Sequence, residues 1–508
     1  MPLSESIEKP LIAERTGCPI AVFSNSYARL PEHFFERLSP TPVAKPRLIK
    51  FNESLASELG VDTRGLEPDE LAAVFAGNVV PPGAEPIAIA YAGHQFGNFV
   101  PQLGDGRAIL LGEVVDRNGE RRDIQLKGAG RTPFSRRGDG RAALGPVLRE
   151  YLISEAVHAL GIPTTRALAA VLTGEPVFRD RQLPGAILTR VASSHIRIGT
   201  FQYFAARGDM EAVERLSDYV IDRHFPEARA SERPPLALLQ TVVERQALLV
   251  GRWMHVGFIH GVMNTDNTAL SGETIDFGPC AFIDSYDPAT TFSAIDELGR
   301  YAYGNQPTIA QWNLARFAET LVPLLDPDPE RAVELANEAM STFTTRFQDH
   351  WLAGMRDKLG LSSNEDGDID LARALLRAMH ENAADFTLTF RRLCDAAADE
   401  RADVNVRALF TNPAAYDTWA ARWRSRLAAE RLEPDARAQA MRTVNPAFIP
   451  RNHRVEQVLG AAIEYGDFSP LAEMLTLLSR PYEDQAGFTD YAKPPHADER
   501  VFRTFCGT

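Results

Sequence analysis

The sequence predicts an α+β fold of two lobes, a small and mainly β N-lobe followed by a large helical C-lobe, with an extension at each end. Three observations carry this expectation. Strand signals dominate from about residue 86 to 192, interrupted by one helix, and from about Pro288 the pattern is almost wholly helical. The residues suited to chemistry run from Gly104 to Asp276 as one unit. Length alone, 508 residues, would suggest about three domains, but one continuous site favours two lobes. The expected division is an N-terminal extension over 1–85, the N-lobe over 86–192, and over 193–508 a C-lobe that carries the catalytic loop, the metal motif and a C-terminal extension.

Residues 1–85 mix helical pieces with Pro-rich connectors and read as packing on the first lobe. The next segment, GNFVPQLGDGRAILLGEV, reads as two short strands joined at Gly104-Asp105-Gly106 and followed by Arg107. Glycines there let backbone N–H groups approach phosphate oxygens closely; an ordinary hairpin turn is the competing reading. In RDIQLK, Ile124 and Leu126 point one way and Asp123, Gln125 and Lys127 the other, as in a half-buried strand. Lysine is scarce, six among 54 basic residues, and Lys127 stands far from the others (Lys9, Lys45, Lys50, Lys358 and Lys493). It could reach phosphates in a cleft or be a solvated edge-strand lysine.

The tetrapeptide recurs as Gly138-Asp139-Gly140-Arg141, in a loop that also holds Arg131, Arg136 and Arg137. In a chain of net charge −14 such a basic island suits anions. A helix follows, with Pro146 in its first turn, Gly161 at its end, and Leu148, Leu152, Ala156 and Leu160 as an apolar stripe. Glu150 lies on the opposite side, where it could pair with Lys127 or simply face solvent. Arg190 and Arg197 flank a strand and a connector, AILTRVASSHIRIG, and could clamp a polyphosphate or pair between lobes. A long helix from about Leu236 to Val256 then delivers the chain into residues 260–284, with Trp253 as a core residue.

That stretch, HGVMNTDNTALSGETIDFGPCAFID, is the most informative of the chain. A bare Asp-Phe-Gly arises by accident in about one chain in ten of this length. Here, however, His260 and Asn267 stand seven residues apart, as in the kinase catalytic loop, with room for a hairpin around Ser271-Gly272 before Asp276-Phe277-Gly278. Magnesium takes carboxylate, amide and phosphate oxygens, so Asn267 and Asp276 are the candidate metal ligands. An acceptor hydroxyl needs a carboxylate to take its proton, and Asp266 is the candidate base. Where a kinase carries its own base, two residues after His260, this chain has Val262.

Taken together, YAGHQFGNFVPQLGDGR, DIQLKGAGRTPFSRRGDGRAALGPVLREYLISEA, SSHIRIGTFQ and HGVMNTDN…IDFGPC closely resemble the selenoprotein O family, over nearly the whole chain. The resemblance implies a bilobal protein-kinase-like fold that transfers AMP from ATP to hydroxyl side chains (Ser, Thr or Tyr) of proteins, releasing diphosphate. It implies nucleotide contacts at Gly104, Gly106, Arg107, Lys127, Asp139, Gly140, Arg190, Arg197 and Asp276, and Glu150 as the partner of Lys127. Asp266 would be the proton acceptor, and Asn267 and Asp276 would hold Mg2+ or Mn2+. It further implies a nucleotide turned around, so that its α-phosphate meets the acceptor, and a redox residue near the C-terminus.

Four cysteines, Cys18, Cys280, Cys394 and Cys506, without a C-x-x-C pair, exclude a zinc ribbon or disulfide scaffold. Cys280 lies just after the metal motif and Cys506 is third from the C-terminus, and the resemblance supports a regulatory pair between them. The acidic balance, pI about 5.4, argues against nucleic acid as partner. Neither a signal-peptide core nor a transmembrane run is visible, so a cytoplasmic protein is expected. Arg451 and His453, in a polar segment near the end, suit either a site or a helix start, and His94 reads as a hydrogen-bonded structural histidine. Two other functions stay open: a small-molecule phosphotransferase like the aminoglycoside kinases, against which Val262 speaks, and a non-catalytic scaffold, against which the intact Lys127, Asn267 and Asp276 speak.

Overall fold

The computed structural model describes residues 20–505. Among the described residues ten strands fall before residue 193: β1 Phe35–Arg37, β2 Arg47–Phe51, β3 Ile87–Ile89, β4 Gly93–Gln95, β5 Asn98–Val100, β6 Ala108–Val115, β7 Arg121–Lys127, β8 Ala142–Ala143, β9 Arg166–Phe178 and β10 Gln182–Ala192. The main sheet runs β1-β3-β6-β7-β10-β9-β2, with β8 added on β10, and β4 pairs only with β5. The segment before residue 86 therefore supplies both end strands of the sheet path, β1 and β2, besides packing upon it.

Both faces of the sheet are covered. Ile109, Ile124, Leu126, Leu168 and Val191 pack on one side with Leu55 and Phe75 from the N-terminal helices Glu53–Glu58 and Pro68–Phe75. Leu110, Ala170, Ala186 and Leu188 pack on the other, against the helix Leu144–Ala159. The alternation read in RDIQLK is therefore present, but the strand is buried on both sides rather than half-buried, with Asp123 and Gln125 at most 2 % exposed. Such polar groups are tolerated inside because each is hydrogen-bonded. The two strands read on either side of Gly104-Asp105-Gly106 do not form a hairpin with one another, since β5 pairs with β4 while β6 pairs with β3 and β7.

Beyond Ala192 the described residues form helices and loops apart from β11 Phe258–Ile259 and β12 Ala281–Phe282, which pair antiparallel and bracket the 260–280 loop. The helix Pro234–Val256 stops at Gly257, whose left-handed φ of 74° only glycine adopts freely, and so turns the chain into β11. The expected hairpin at Ser271-Gly272 is instead a turn closed by Gly272 N–H to the Ala269 carbonyl, and the paired strands lie outside it. Among the described residues no helix is long and apolar enough to cross a membrane.

The C-terminal segment returns to the N-lobe. Val455, Val458, Leu459, Leu471 and Met474 join the same core as Leu148, Leu152 and Ile153 of the Leu144–Ala159 helix. Arg149 pairs with Glu456, and the Tyr482 hydroxyl donates to the Leu160 carbonyl at 3.0 Å. Arg451, wholly buried, donates to Asp284 and Asp385 at 2.7 Å each, which assigns it to anchoring the chain after Asp276-Phe277-Gly278.

Candidate active site

The strand register puts Lys127 opposite both Ala108 and Leu188, in the middle of the sheet, and Gln125 opposite Arg190 on the neighbouring strand. The Lys127 ammonium donates to Glu150 at 2.6 Å and to Asp276 at 2.6 Å. The solvated edge-strand alternative is excluded for Lys127, and Glu150, 5 % exposed, does not face solvent. Arg190 donates from Nη1 to Asp276 at 2.7 Å and to Glu150 at 3.2 Å, while Arg197 donates from one nitrogen to the other Asp276 oxygen and to the Asp266 carbonyl, both at 2.6 Å. The Arg197 guanidinium also lies 4.7 Å over the Tyr91 ring.

Asp276 thus gathers three cations from three parts of the chain. Burial alone would raise its carboxyl pKa, but Lys127, Arg190 and Arg197 hold it well below the usual carboxylate range. Its backbone is left-handed at φ 63°, a conformation that costs a non-glycine residue about 1–3 kcal/mol and concentrates at functional sites.

These groups line one cavity of about 780 Å³, the size of ordinary small-ligand sites. Every site residue expected from the sequence contributes to it except the two cysteines: Gly104, Gly106, Arg107, Lys127, Asp139, Gly140, Glu150, Arg190, Arg197, Asp266, Asn267 and Asp276. Among the described residues its lining holds eight basic and five acidic side chains, so it is locally cationic in an acidic protein and suits a polyphosphate. Asp139 is the least direct of the set: its exposed carboxylate braces the loop, accepting from Arg179 at 2.8 Å and from the Arg141 amide at 2.9 Å. Gly140 packs on Gly130, whose carbonyl would lie 2.1 Å from an added Cβ.

Asp266 sits in the short 3-10 turn Thr265–Asn267, 7 % exposed. Burial pushes its carboxyl up to about 6 despite the nearby Arg197. One carboxylate oxygen accepts a long 3.4 Å bond from Gln95, and the other, Oδ1, is buried without a partner. Gly93 of β4 makes room for it, because a Cβ there would stand 2.5 Å from Oδ1. Since the Gly93 backbone is not left-handed, Gly93→Ala should fold and express its cost at Asp266. Transfer activity is expected to fall by about 10- to 100-fold through displacement of the carboxylate, with the thermal midpoint nearly unchanged; unaltered activity would show that Asp266 need not occupy this position.

Asn267 and Asp276, the candidate metal ligands, both line the cavity. The Asn267 amide nitrogen donates to the Val262 carbonyl at 2.9 Å, which orients its oxygen the other way. Among the described residues no group of three or more His, Cys, Asp or Glu could hold a metal alone. Two oxygen donors on a cavity roomy enough for a polyphosphate instead suit a hard cation that completes its shell with waters and substrate oxygens. His260 is buried and donates from its ring Nε2 to the Ile275 carbonyl at 2.9 Å, tying the loop to the segment that holds Asp276. His94 pairs with Gln202 at 2.8 Å, the structural role read for it. Cys280 is buried beside the metal segment, while Cys506, like Cys18, lies outside the described residues.

Asp105, Gln125, Tyr91, Gly93 and Gln95 were not singled out from the sequence as site residues. Two of them carried a signal, Gln125 by standing two residues before Lys127 on the same face of its strand and Asp105 by its place in the recurring Gly-Asp-Gly-Arg tetrapeptide.

Comparison with known proteins agrees with this geometry. Residues 20–479 match the family model described as protein adenylyltransferase SelO. The chain is 65 % identical over 486 residues to the protein nucleotidyltransferase YdiU of Rhizobium johnstonii, covering 96 % of this chain and 97 % of that one. It is 64 % identical over 486 residues to the protein of the same name from Rhizobium meliloti, covering 96 % and 99 %. Against that of Rhizobium etli it is 62 % identical over 506 residues, the full length of both. The kinase-like α+β architecture, the cationic cavity and these matches lead to one conclusion: this chain belongs to the SelO family of protein adenylyltransferases.

Proposed function

We propose that the chain transfers AMP from ATP to hydroxyl side chains of proteins, with Asp266 as the proton acceptor. The observation that carries the assignment is the pairing, in one cavity, of a buried carboxyl titrating near 6 with an unpartnered oxygen and a triad of cations on Asp276. The acceptor oxygen bonds to the α-phosphorus as its bond to the bridging oxygen breaks. Diphosphate leaves, and the hydroxyl proton passes to Asp266. Before that step the hydroxyl supplies the donor that Oδ1 lacks, which offsets the cost of a buried orphan acceptor, about 1–3 kcal/mol.

The triphosphate lies with its α-phosphate toward Asp266, along the backbone of Gly104 and Gly106 and against Arg107, Lys127, Arg190 and Arg197, with Asp139 and Gly140 at its outer side. Asn267 and Asp276 would hold Mg2+ or Mn2+, which when bound would neutralise phosphate charge. Lys127 and Arg197, now spent on Asp276, are placed to turn toward the phosphates as the nucleotide enters. The lobes of this reading meet near Ala192, where β10 passes into the connector that carries Arg197. A regulatory Cys280–Cys506 pair belongs to the same proposal. In its support, the tail is seated two residues before Cys506, where the Thr504 hydroxyl donates to the Pro279 carbonyl at 2.5 Å.

The test compares ATP labelled at the α- and at the γ-phosphate, with Mg2+ or Mn2+, using the protein itself and a cell lysate as acceptors, with and without dithiothreitol. Label from the α position alone is expected, with transfer changing on reduction. Label from γ alone would replace the proposal with phosphotransfer to protein, and none from either would favour a small-molecule phosphotransferase or a scaffold. Equal transfer with and without reductant would remove the cysteine pair and leave the rest.

A further inference from the structure

We propose that Asp105 and Gln125 are positioning residues that hold Arg190 in the orientation needed at the triphosphate. The proposal rests on the reading that Arg190 serves the nucleotide and adds what fixes its guanidinium. Arg190 donates from Nε to the Gln125 side-chain oxygen at 2.8 Å, and the Gln125 amide nitrogen donates to Asp105 Oδ2 at 3.0 Å. The Ile89 backbone N–H donates to the same Asp105 oxygen at 3.1 Å. All three side chains are at most 2 % exposed.

The order of donors and acceptors is forced. A guanidinium only donates, so it must meet the oxygen of Gln125. The amide then turns its nitrogen toward Asp105, which must accept. Asp105 therefore selects one of the two amide orientations of Gln125, and Gln125 selects the plane of Arg190. With Nε held by Gln125 and Nη1 by Glu150 and Asp276, the remaining nitrogen, Nη2, makes no hydrogen bond among the described residues, on a side chain that lines the cavity. That edge is the one left for a phosphate oxygen.

The relay starts inside the nucleotide loop itself, because Asp105 is the middle residue of Gly104-Asp105-Gly106. The loop is bolted in place from a second side. The Thr132 hydroxyl donates to the Asp105 carbonyl at 2.7 Å, the Ser135 hydroxyl donates to the Gly106 carbonyl, and Phe134 fills the space where Gly104 lacks a side chain. Glycine turn, arginine-rich loop and Arg190 thus form one preorganised cradle for a polyphosphate.

The test is a double-mutant cycle on the full-length protein, measuring kcat and KM for transfer of α-labelled AMP, with circular dichroism to confirm folding. Gln125→Ala is expected to lower kcat/KM by about 10- to 100-fold, the scale of misplacing a reacting group. In an Arg190→Ala background the same change should cost less than about twofold, since its role is exercised through Arg190. Asp105→Asn keeps an acceptor oxygen in place and is expected to stay within a few-fold of wild type, whereas Asp105→Ala should match Gln125→Ala. A folded Gln125→Ala with wild-type kinetics, or an equal loss in both backgrounds, would overturn the relay. A silent Arg190→Ala would instead strike the nucleotide role of Arg190.

Discussion

Asp266→Asn is expected to lower AMP transfer by about 10²- to 10⁴-fold, the range of a lost general base, while ATP still protects the protein against thermal unfolding. The pH dependence identifies the group. With its carboxyl near 6, wild-type kcat/KM should be level above that pH and fall about tenfold per unit below it. Asp105 is also pushed up to about 6 by burial, so Asp105→Asn is the control that must keep the acid limb. Stability moves the opposite way. A carboxyl whose folded pKa is raised binds its proton more tightly in the native state, so its contribution to stability is present at low pH and is lost as pH rises through about 4 to 6. At neutral pH wild type therefore bears an unfavourable buried charge, and Asp266→Asn is expected to be more stable by about 1–3 kcal/mol. An inactive variant that is also less stable would mean that the loss is structural.

Asp276→Asn should show a reversal of ligand preference. The carboxylate holds Lys127, Arg190 and Arg197 together, and its removal leaves Glu150 as the acidic side chain among the described residues that is still bonded to Lys127 and Arg190. Metal-free ATP or diphosphate should then bind at least as tightly as to wild type, because the cations lose their internal partner. Addition of Mg2+ should no longer tighten nucleotide binding, and transfer should fall to background. Titration calorimetry with and without metal, beside the label-transfer assay, measures both arms. Retained metal enhancement would show that the ion is held elsewhere. The low pKa of Asp276 makes its contribution to stability present at neutral pH and lost only in acid, below the ordinary carboxylate range, so the variant should also unfold at lower temperature.

The readable part of this site was whatever a short stretch of chain declares by itself. Lys127 stood out by the scarcity of lysine, Asn267 and Asp276 by their spacing from His260, and the arginine-rich loop by its charge. The strands were visible too, but not their partners: the residues on either side of Gly104-Asp105-Gly106 read as a hairpin because local pattern cannot say that β5 pairs with β4 and β6 with β7. Contacts made across long separations were hidden for the same reason. Gly93 meets Asp266 from more than 170 positions away, and Asp105 reaches Gln125 from a different strand connection. Glu150 is a subtler case. Its helix reads as amphipathic, with a polar side free for solvent, yet Arg149 and Glu150 are each 5 % exposed because the sheet and the C-terminal segment cover both sides.

That covering bears on how the enzyme can be governed. In protein kinases the helix that carries the lysine's glutamate is a control element, and its position decides whether the ion pair forms. Here Leu148, Leu152 and Ile153 share a core with Leu459, Leu471 and Met474 from the far end of the chain, and Arg149 is tied to Glu456. Swinging the helix outward would expose several such side chains at about 1.5–3 kcal/mol each, which leaves an outward state essentially unpopulated. The enzyme is built with its ion pair permanently engaged, so any throttle on its output has to act on admission to the cavity rather than on assembly of the machinery within it.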